Sequence, residues 1–332
     1  MKEEANALIE AKHLKKYFTV KGRGTLHAVD DVSFKVYPGE TLGLVGESGC
    51  GKSTVGNMVM RLLQRTSGEV LFKGKNIFEA DEKQSFELRK KIQLVFQDPY
   101  SSLNPRQTIR TILGRAYEIH NIAKGTEREK LIRNLCEVSG FDVDLLDRYP
   151  HELDGGNRQI VGIARALSLN PEFIVCDEPV SALDVSVQAK IINRLMDLQK
   201  DCNLSYLFIS HDLSVVKHIS HRIAVMYLGE IVEMTTSRRL FENPMHPYTI
   251  ALLSAVPRVD VEHKVHRIVL KGDVPSPYDP KPGCRFAPRC WMAKEDCFTN
   301  NQQLVEVEPG HCVACKYASM SQQNLKEEIK KE

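Results

Sequence analysis

The sequence lacks three features that would assign it to other classes of protein. No apolar run approaches the roughly 18 residues that a membrane-spanning helix requires. The first residues, Met1–Asn6, lack the charged-then-apolar pattern of a secretory signal peptide. The formal net charge is +2, from 45 Lys and Arg against 43 Asp and Glu, which is too small to indicate a nucleic-acid partner. We therefore expect a cytosolic chain whose role at a membrane, if it has one, depends on partner subunits.

The composition is otherwise that of an ordinary globular protein. Hydrophobic residues make up 42% and charged residues 27% of the 332 positions. A chain of this length accommodates about two domains. Five of the nine cysteines lie between Cys284 and Cys315. This clustering requires an explanation of its own.

A phosphate-binding loop is the most specific motif in the chain. Residues 46–53, GESGCGKS, fit the pattern G-x-x-x-x-G-K-[ST] without a mismatch, between an apolar run at 41–45 and a predicted helix at 54–63. Glycines in this motif let backbone N–H groups converge on phosphates at a helix N-terminus. Lys52 is expected to reach the β- and γ-phosphates, and the Ser53 hydroxyl to ligate Mg²⁺. The predicted nucleotide-binding residues of the loop are Gly46, Ser48, Gly49, Cys50, Gly51, Lys52, Ser53 and Thr54.

Two adjacent carboxylates form the second half of the predicted site. The apolar run 173–176 ends in Asp177 and Glu178. Successive strand residues point to opposite sides, so the two acids are free to do different work. Asp177 is placed to hold the Mg²⁺ shell, and Glu178 to polarise a water in line with the γ-phosphate.

The order of the predicted elements indicates an α/β fold. Short apolar runs before residue 37 predict a small antiparallel sheet. Later strands alternate with helical patterns, which is typical of a parallel sheet covered on both sides. The later strands are predicted at 92–96, 173–176, 206–209 and 223–227. Residues from about 106 to 150 are polar and helix-rich, and a proline-rich extension follows Pro244, with a solvated tail over the last dozen residues.

With these motifs in order, the chain resembles the ATP-binding subunit of an ABC transporter over nearly its whole length. The resemblance implies that Gln97 is the Q-loop glutamine, which senses Mg²⁺ and the lytic water, and that His211 is the switch histidine. It implies that Phe18 stacks on adenine, with Tyr17 as the near alternative. It also implies a signature motif at Asp154, Gly155, Gly156 and Asn157, which faces a partner's ATP, and a D-loop at Ser181, Ala182, Leu183 and Asp184.

The same resemblance implies a domain organisation. We expect a P-loop (RecA-like) ATPase core with an N-terminal antiparallel β-subdomain, an inserted helical subdomain at about 99–158 and a cysteine-rich C-terminal extension. The nucleotide-binding domain would cover residues 1–245 and the extension residues 246–332. Only one phosphate loop is present, so the chain is one nucleotide-binding unit and not a tandem pair.

A closer resemblance is to the oligopeptide/dipeptide importer branch, whose relatives include nickel importers. Residues 39–54, 96–106 and 246–249 support it. It implies ATP hydrolysis that drives peptide import through two membrane permease subunits, supplied by an extracytoplasmic binding protein. The chain would lie on the cytoplasmic face of the membrane, with Gln97–Arg106 against a permease. Two alternatives stay open: nickel or another small solute as cargo, and a soluble ABC ATPase of translation or repair. The single phosphate loop and the absence of a basic patch favour the transporter.

The signature departs from the family pattern Leu-Ser-Gly-Gly-Gln, since Asp154 replaces the serine and Asn157 the glutamine. In such ATPases each signature caps the ATP held by the other unit of a dimer. A carboxylate at ~4 Å from a phosphate oxygen costs roughly 1–4 kcal/mol, depending on the dielectric. This chain would then be half of a heterodimer, whose own complete site meets a normal signature on its partner. The alternative is that Asp154 only caps a helix, which aspartate does as well as serine.

The clustered cysteines predict a metal site. Cys284, Cys290, Cys297 and Cys315 are separated by five, six and seventeen residues, with Cys312 as a fifth thiol nearby. Disulfides are rare in cytosolic chains, and zinc sites favour shorter gaps. The spacing resembles the C-terminal segment of peptide-importer ATPases, where four cysteines hold a [4Fe–4S] cluster. The resemblance implies Cys284, Cys290, Cys297 and Cys315 as ligands, with Zn²⁺ or no metal as alternatives and Cys312 as a rival for the last position.

Overall fold

The computed structural model describes residues 6–256 and 268–320. The predicted solvated tail, residues 321–332, lies outside the described residues. The strands are β1 (Ile9–Val20), β2 (Gly24–Val36), β3 (Thr41–Val45), β4 (Ser67–Phe72), β5 (Lys75–Asn76), β6 (Ile92–Val95), β7 (Phe173–Asp177), β8 (Ser205–Ser210), β9 (Arg222–Tyr227), β10 (Glu230–Thr236), β11 (Val305–Glu308) and β12 (His311–Val313).

The helices follow the same order along the chain. They are α1 (Lys52–Val59), α2 (Glu82–Lys91), α3 (Pro99–Ser102), α4 (Ile109–Ile119), α5 (Gly125–Ser139), α6 (Gly155–Leu167), α7 (Val185–Cys202), α8 (Leu213–Ile219), α9 (Ser237–Glu242) and α10 (Pro247–Ser254). Short 3-10 helices occur at Val143–Leu145, Pro150–Glu152, Ala287–Arg289, Glu295–Phe298 and Ala318–Met320.

The chain divides into two compact units. The first contains residues 6–9, 35–41 and 71–210, and the second contains residues 10–34, 42–70 and 211–320 where these are described. In the first unit β6, β7 and β8 run parallel, with Val95 opposite Cys176 and Asp177 opposite Ile209. The first four residues of β7 are apolar and buried, as expected of a strand covered on both faces.

Helix α7 of the first unit carries an apolar stripe. Its residues Ile191, Ile192, Leu195 and Leu198 are all buried. They recur at intervals of three and four residues, so they lie on one face of the helix. Helices α4, α5 and α6 lie within the same unit. The boundaries of a separate helical subdomain stay a prediction.

In the second unit a mixed sheet holds the strand that precedes the phosphate loop. Strand β3 pairs in parallel with β9, with Leu44 opposite Ala224. Strand β10 pairs antiparallel with β9 and β12, and β12 pairs antiparallel with β11. Strands β10, β11 and β12 were not predicted from the sequence. The last two lie within residues 284–315, which we call the cysteine segment. The cysteine segment therefore extends the sheet that contains β3.

The N-terminal strands β1 and β2 form a hairpin. Three residues join them, and the Arg23 N–H donates to the Val20 carbonyl at 3.0 Å. Both strands are longer than the short apolar runs suggested, because their exposed positions carry polar residues that hide the pattern.

Helix α1 is shorter than predicted. The sequence indicated a helix as far as Leu63, whereas α1 ends at Val59. Arg61 adopts a left-handed φ of 53°, which an α-helix cannot include. The N–H groups of Leu62 and Leu63 both return to the Asn57 carbonyl, at 2.9 and 3.2 Å. Leu62 is 59% exposed, so the apolar pattern at 62–63 does not mark a buried helical face.

Candidate functional site

Two glycines give the phosphate loop its shape. Gly51 has a φ of 104°, and a Cβ there would lie 2.1 Å from the Ala28 carbonyl oxygen. A Cβ at Gly46 would lie 2.1 Å from the Met226 carbonyl oxygen. No side chain fits at these distances, so neighbouring backbone requires glycine at both positions. Helix α1 begins directly after Gly51, which directs its free N–H groups into the loop.

The Lys52 side chain folds back onto the phosphate loop. Its side chain is buried, and its Nζ donates to the carbonyls of Gly46 at 2.9 Å and Glu47 at 3.0 Å. The ammonium is therefore held by the same loop whose backbone would face the phosphates. Cys50 is also buried, and burial raises the pKa of its thiol, with Lys52 acting in the opposite direction. Ser48 and Gly49 are exposed, and Ser53 and Thr54 are half-buried.

The two candidates for adenine stacking make different contacts. The Tyr17 hydroxyl donates to Asp30, and its ring stacks on His27 with centroids 4.0 Å apart. Phe18 points to the opposite side of β1, where the Lys16 ammonium lies 4.8 Å from its ring centroid. Phe18 stays the predicted stacking residue, with Tyr17 as the near alternative.

The first unit brings Gln97 and Glu178 together. Strand β7 ends at Asp177, and the Gln97 Nε2 donates to the Glu178 carboxylate at 3.2 Å. Glu178 itself has a left-handed φ of 45°, and its N–H donates to the Ile209 carbonyl at 2.9 Å. A non-glycine residue in this region costs about 1–3 kcal/mol, and such residues cluster at functional sites. This conformation was not evident from the sequence.

Asp154 caps the N-terminus of helix α6, as the second of the two interpretations of this residue expects. One carboxylate oxygen accepts from the Asn157 N–H at 2.8 Å, and the other accepts from the Asn157 side-chain amide at 2.7 Å. Helix α6 begins at Gly155, directly after Asp154. A Cβ at Gly155 would lie 3.0 Å from Leu183, so the signature and the D-loop are in contact.

The D-loop residues connect Glu178 to helix α7. The Ser181 hydroxyl donates to the Glu178 carbonyl at 3.1 Å. Asp184 caps α7 by accepting from the Val187 N–H at 3.0 Å, and a hydrogen bond from Ser186 is the main cause of its lowered pKa. Ala182 lies between them on an exposed turn.

His211 belongs to the second unit, where it is exposed directly before Asp212, the cap of α8.

The cysteine segment brings four thiols to one place. Cys284, Cys290, Cys297 and Cys315 line a single cavity of about 20 Å³, whereas Cys312 is not among its lining residues. Burial raises the pKa of Cys284 to about 11 and that of Cys290 to about 12. Cys312 instead lies opposite Met234 in the β10–β12 pair. Within residues 6–256 and 268–320, no three His, Cys, Asp or Glu side chains are arranged so that they could hold a metal ion.

Comparison with known proteins identifies the family. Residues 29–181 match the family model described as ABC transporter, and residues 232–297 match the model described as oligopeptide/dipeptide transporter, C-terminal region. The chain is 51% identical to the oligopeptide transport ATP-binding protein AppF of Bacillus subtilis, over 93% of this chain and 96% of the relative. It is 47% identical to the dipeptide transport ATP-binding protein DppF of Haemophilus influenzae, over 94% and 97% of the two chains.

Solved structures agree with the sequence relatives. The dimeric structure of MJ0796, titled a bacterial ABC transporter cassette, superposes with a TM-score of 0.63 at 28% identity, over 69% of this chain and 99% of that one. The cbiO1 protein of Clostridium perfringens, part of the cbiONQ transporter complex, also gives 0.63, at 26% identity over 71% and 91% of the two chains. Among the described residues, no helix is long and apolar enough to span a bilayer. The chain belongs to the ATP-binding subunits of ABC transporters, in the oligopeptide/dipeptide transporter family, and its activity is ATP hydrolysis coupled to transport.

Proposed function

We propose that this chain powers the import of oligopeptides or dipeptides. The observation that carries the proposal is the match of 51% identity to an oligopeptide transport ATP-binding protein over nearly the full length of both chains. Two transmembrane permease subunits would form the pathway, and an extracytoplasmic binding protein would supply the cargo. The chain would lie on the cytoplasmic face of the membrane, held there by the permeases. Nickel or another small solute is the alternative cargo, and no residue described here distinguishes it.

The order of the motifs along the chain and the family match support the following division of work in hydrolysis. Lys52 binds the β- and γ-phosphates, and Phe18 stacks on the adenine. Ser53 and Asp177 are the residues that would hold Mg²⁺, which neutralises charge on the phosphate oxygens when it is bound. Glu178 takes a proton from the attacking water while Gln97, hydrogen-bonded to it, orients that water. His211, which directly follows β8, would act as the switch histidine.

An exposed aromatic surface supports the proposed contact with a permease. Phe96 and Tyr100 are 42% and 54% exposed, next to the Q-loop glutamine. The Arg165 and Arg158 guanidinium groups each lie 5.2 Å from one of these rings. Exposed aromatic side chains close to arginine are typical of protein interfaces. We propose that residues Gln97–Arg106 receive a cytoplasmic helix of a permease subunit.

The experiment that tests the importer is gentle extraction of the tagged chain from its native membrane, followed by mass spectrometry of the proteins that accompany it. Two membrane subunits and a second, related ATPase are expected. Recovery with soluble proteins only would contradict the transporter role. Uptake of labelled peptides and of nickel by cells that lack this chain then separates the two cargo classes.

We further propose that the chain pairs with a different ATPase subunit. The support is Asp154, whose carboxylate occupies the position where the family serine would donate to the partner's phosphate. Its hydrogen bonds to Asn157 fix the carboxylate at the N-terminus of α6. A helix N-terminus carries a partial positive charge, which reduces the repulsion of phosphate but does not remove it. A partner with an ordinary signature would complete the ATP site of this chain.

Replacing Asp154 by serine is expected to raise the ATPase rate of the assembled transporter about fivefold or more, because relief of about 1 kcal/mol in the transition state gives that factor. Serine keeps the helix cap, so helix stability changes little. Asp81→Ser is the matched control, since Asp81 caps α2 through the Gln84 N–H in the same way. An unchanged rate in Asp154→Ser would show that Asp154 acts only as a cap.

We propose that Cys284, Cys290, Cys297 and Cys315 hold a metal centre of structural role, a [4Fe–4S] cluster or alternatively Zn²⁺. The common cavity supports these four residues over Cys312. Its volume of about 20 Å³ is close to that of one water-sized probe. The thiols as they stand are not arranged to hold an ion, so either kind of centre would require these side chains to rearrange when the metal binds. Thiolates are the ligands that both kinds of centre use.

Iron, zinc and sulfide analysis of anaerobically purified protein tests this assignment. A cluster predicts about four iron atoms per chain, and a zinc centre predicts about one zinc. Cys290→Ser is expected to lose the metal and Cys312→Ser to retain it. Loss of metal in Cys312→Ser, or a metal-free wild-type protein, would contradict the proposed ligand set. The domain boundaries 1–245 and 246–332 also stay a proposal; the second family model matches residues 232–297, so it overlaps the proposed extension but begins 14 residues before it.

A further inference from the structure

Two arginines of the cysteine segment contact β2 and the phosphate loop, which lie in the same compact unit. Arg285 and Arg289 follow Cys284 and precede Cys290. Arg285 donates to the Asp30 carboxylate and the Leu228 carbonyl, and it pairs with Glu230 at 3.0 Å. Arg289 donates to the Glu47 carboxylate at 3.1 Å. The side chains of both arginines are nearly buried, at 8% and 10% exposed.

Glu47 is the second residue of the phosphate loop, and its three polar groups are all engaged. The carboxylate accepts from Arg289, at 3.1 and 3.3 Å. The N–H donates to the Tyr248 hydroxyl at 3.0 Å. The carbonyl accepts from the Lys52 Nζ at 3.0 Å. Glu47 therefore connects Arg289 and Tyr248, from the C-terminal part of the chain, to the lysine of the loop.

Packed aromatic rings hold these partners in position. The Tyr227 and Tyr248 rings lie 4.6 Å apart, and the Phe286 ring lies 5.3 and 5.6 Å from them. All three rings are buried. The Tyr227 hydroxyl also accepts from Arg289 at 3.4 Å. Side chains that are confined by packing hold hydrogen-bonding groups in fixed geometry, as a binding site requires.

Stability alone does not account for an arginine at this place. The Arg289 Nε is buried and has no hydrogen-bond partner among the described residues. An unsatisfied buried donor destabilises a fold, and a well-packed apolar side chain usually replaces a buried ion pair without loss of stability. The contact with Glu47 is therefore better explained by what it does to the loop.

We propose that Arg289 is a positioning residue for ATP: through Glu47 it fixes the phosphate loop and Lys52, so that the cysteine segment sets the affinity for MgATP. The proposal rests on the proposed role of residues 46–53 as the nucleotide loop. Without Arg289 the Glu47 side chain loses its charged partner, and the loop samples conformations in which Lys52 and the backbone N–H groups do not meet the phosphates together. Binding then requires the loop to be ordered first, which weakens affinity.

Equilibrium binding of a fluorescent ATP analogue with Mg²⁺ to the full chain, together with ATPase kinetics of the assembled transporter, tests the proposal. Arg289→Ala is expected to raise Kd and KM about tenfold, with kcat changed less than about threefold. Arg289→Lys keeps the charge and is expected to restore most of the affinity. Glu47→Gln is expected to match Arg289→Ala, and the double variant to be no worse than either single one, since both remove the same contact.

Two reference variants make the outcome specific. Lys294→Ala removes an exposed cation of the same segment, which lies over the Tyr317 ring, and is expected to leave Kd unchanged. Additive losses in the double variant, or a lowered Tm with unchanged Kd in Arg289→Ala, would overturn the proposal. Lys52→Ala tests the loop assignment itself. Wild-type affinity in Lys52→Ala would refute the assignment and the inference with it, whereas lost affinity there and unchanged affinity in Arg289→Ala would refute the inference alone.

Discussion

Replacing Glu178 by glutamine is expected to lower the ATPase rate at least about 100-fold while the affinity for MgATP changes less than about threefold. Glutamine has nearly the same shape but cannot accept the proton of the attacking water, and a positioned general base contributes about 10²–10⁴ in rate. The hydrogen bond from Gln97 can be kept, because the glutamine side chain retains one acceptor oxygen. Single-turnover hydrolysis and equilibrium nucleotide binding on the same preparation separate the two quantities.

The control for this substitution lies next to the same strand. Glu172 immediately precedes β7, at the opposite end from Glu178, and pairs with Lys73 and Lys91 near the surface. Glu172→Gln removes the same charge and is expected to leave the rate within about twofold, since partly exposed ion pairs contribute little. A rate near wild type in Glu178→Gln would assign the proton transfer to another residue.

Replacing Gly51 by alanine is expected to destabilise the second unit by about 3 kcal/mol or more and to abolish nucleotide binding. The left-handed φ of 104° is unfavourable for alanine, and its Cβ would lie 2.1 Å from the Ala28 carbonyl oxygen. A backbone atom cannot move aside as a flexible side chain does, so the loop and β2 must separate. Thermal and urea unfolding without nucleotide measure the loss of stability.

Gly49 offers a matched comparison inside the same loop. It too has a positive φ, of 78°, but a Cβ there would meet no atom within 4 Å. Gly49→Ala is therefore expected to cost only the backbone strain, about 1 kcal/mol. Equal destabilisation in the two variants would show that strain, and not the contact with Ala28, determines the requirement for glycine at Gly51.

Short motifs account for the parts of the site that the sequence predicted. The phosphate loop, the run that ends in Asp177 and Glu178, and the strand before Gly46 are each recognisable as a pattern of a few consecutive residues. Their patterns are therefore visible in the amino-acid order, and β3 has the predicted limits, 41–45. The predicted end of α1 was four residues too late. The apolar pair at 62–63 continues the helical pattern in the sequence, but Leu62 is exposed in the structure.

The structure adds three-dimensional contacts to two pairs of alternatives that the sequence left open. Tyr17 contacts Asp30 and His27. Cys315 lines a cavity with Cys284, Cys290 and Cys297, whereas Cys312 does not. The sequence could not show these contacts, because they join residues whose separation along the chain has no fixed pattern. The choice within each pair stays a prediction.

The sequence by itself determined the family of this protein and its reaction, and it predicted the residues that would meet the phosphates, because local motifs carry this information and their chemistry permits few substitutions. Only the tertiary structure shows how the C-terminal segment contacts the rest of its unit. Strands β11 and β12 join the β10 edge, and Arg289 reaches Glu47 across 242 positions of the chain. A contact of that range leaves no periodicity in the sequence. It arises only when the packing of the buried rings Tyr227, Tyr248 and Phe286 brings the two segments together.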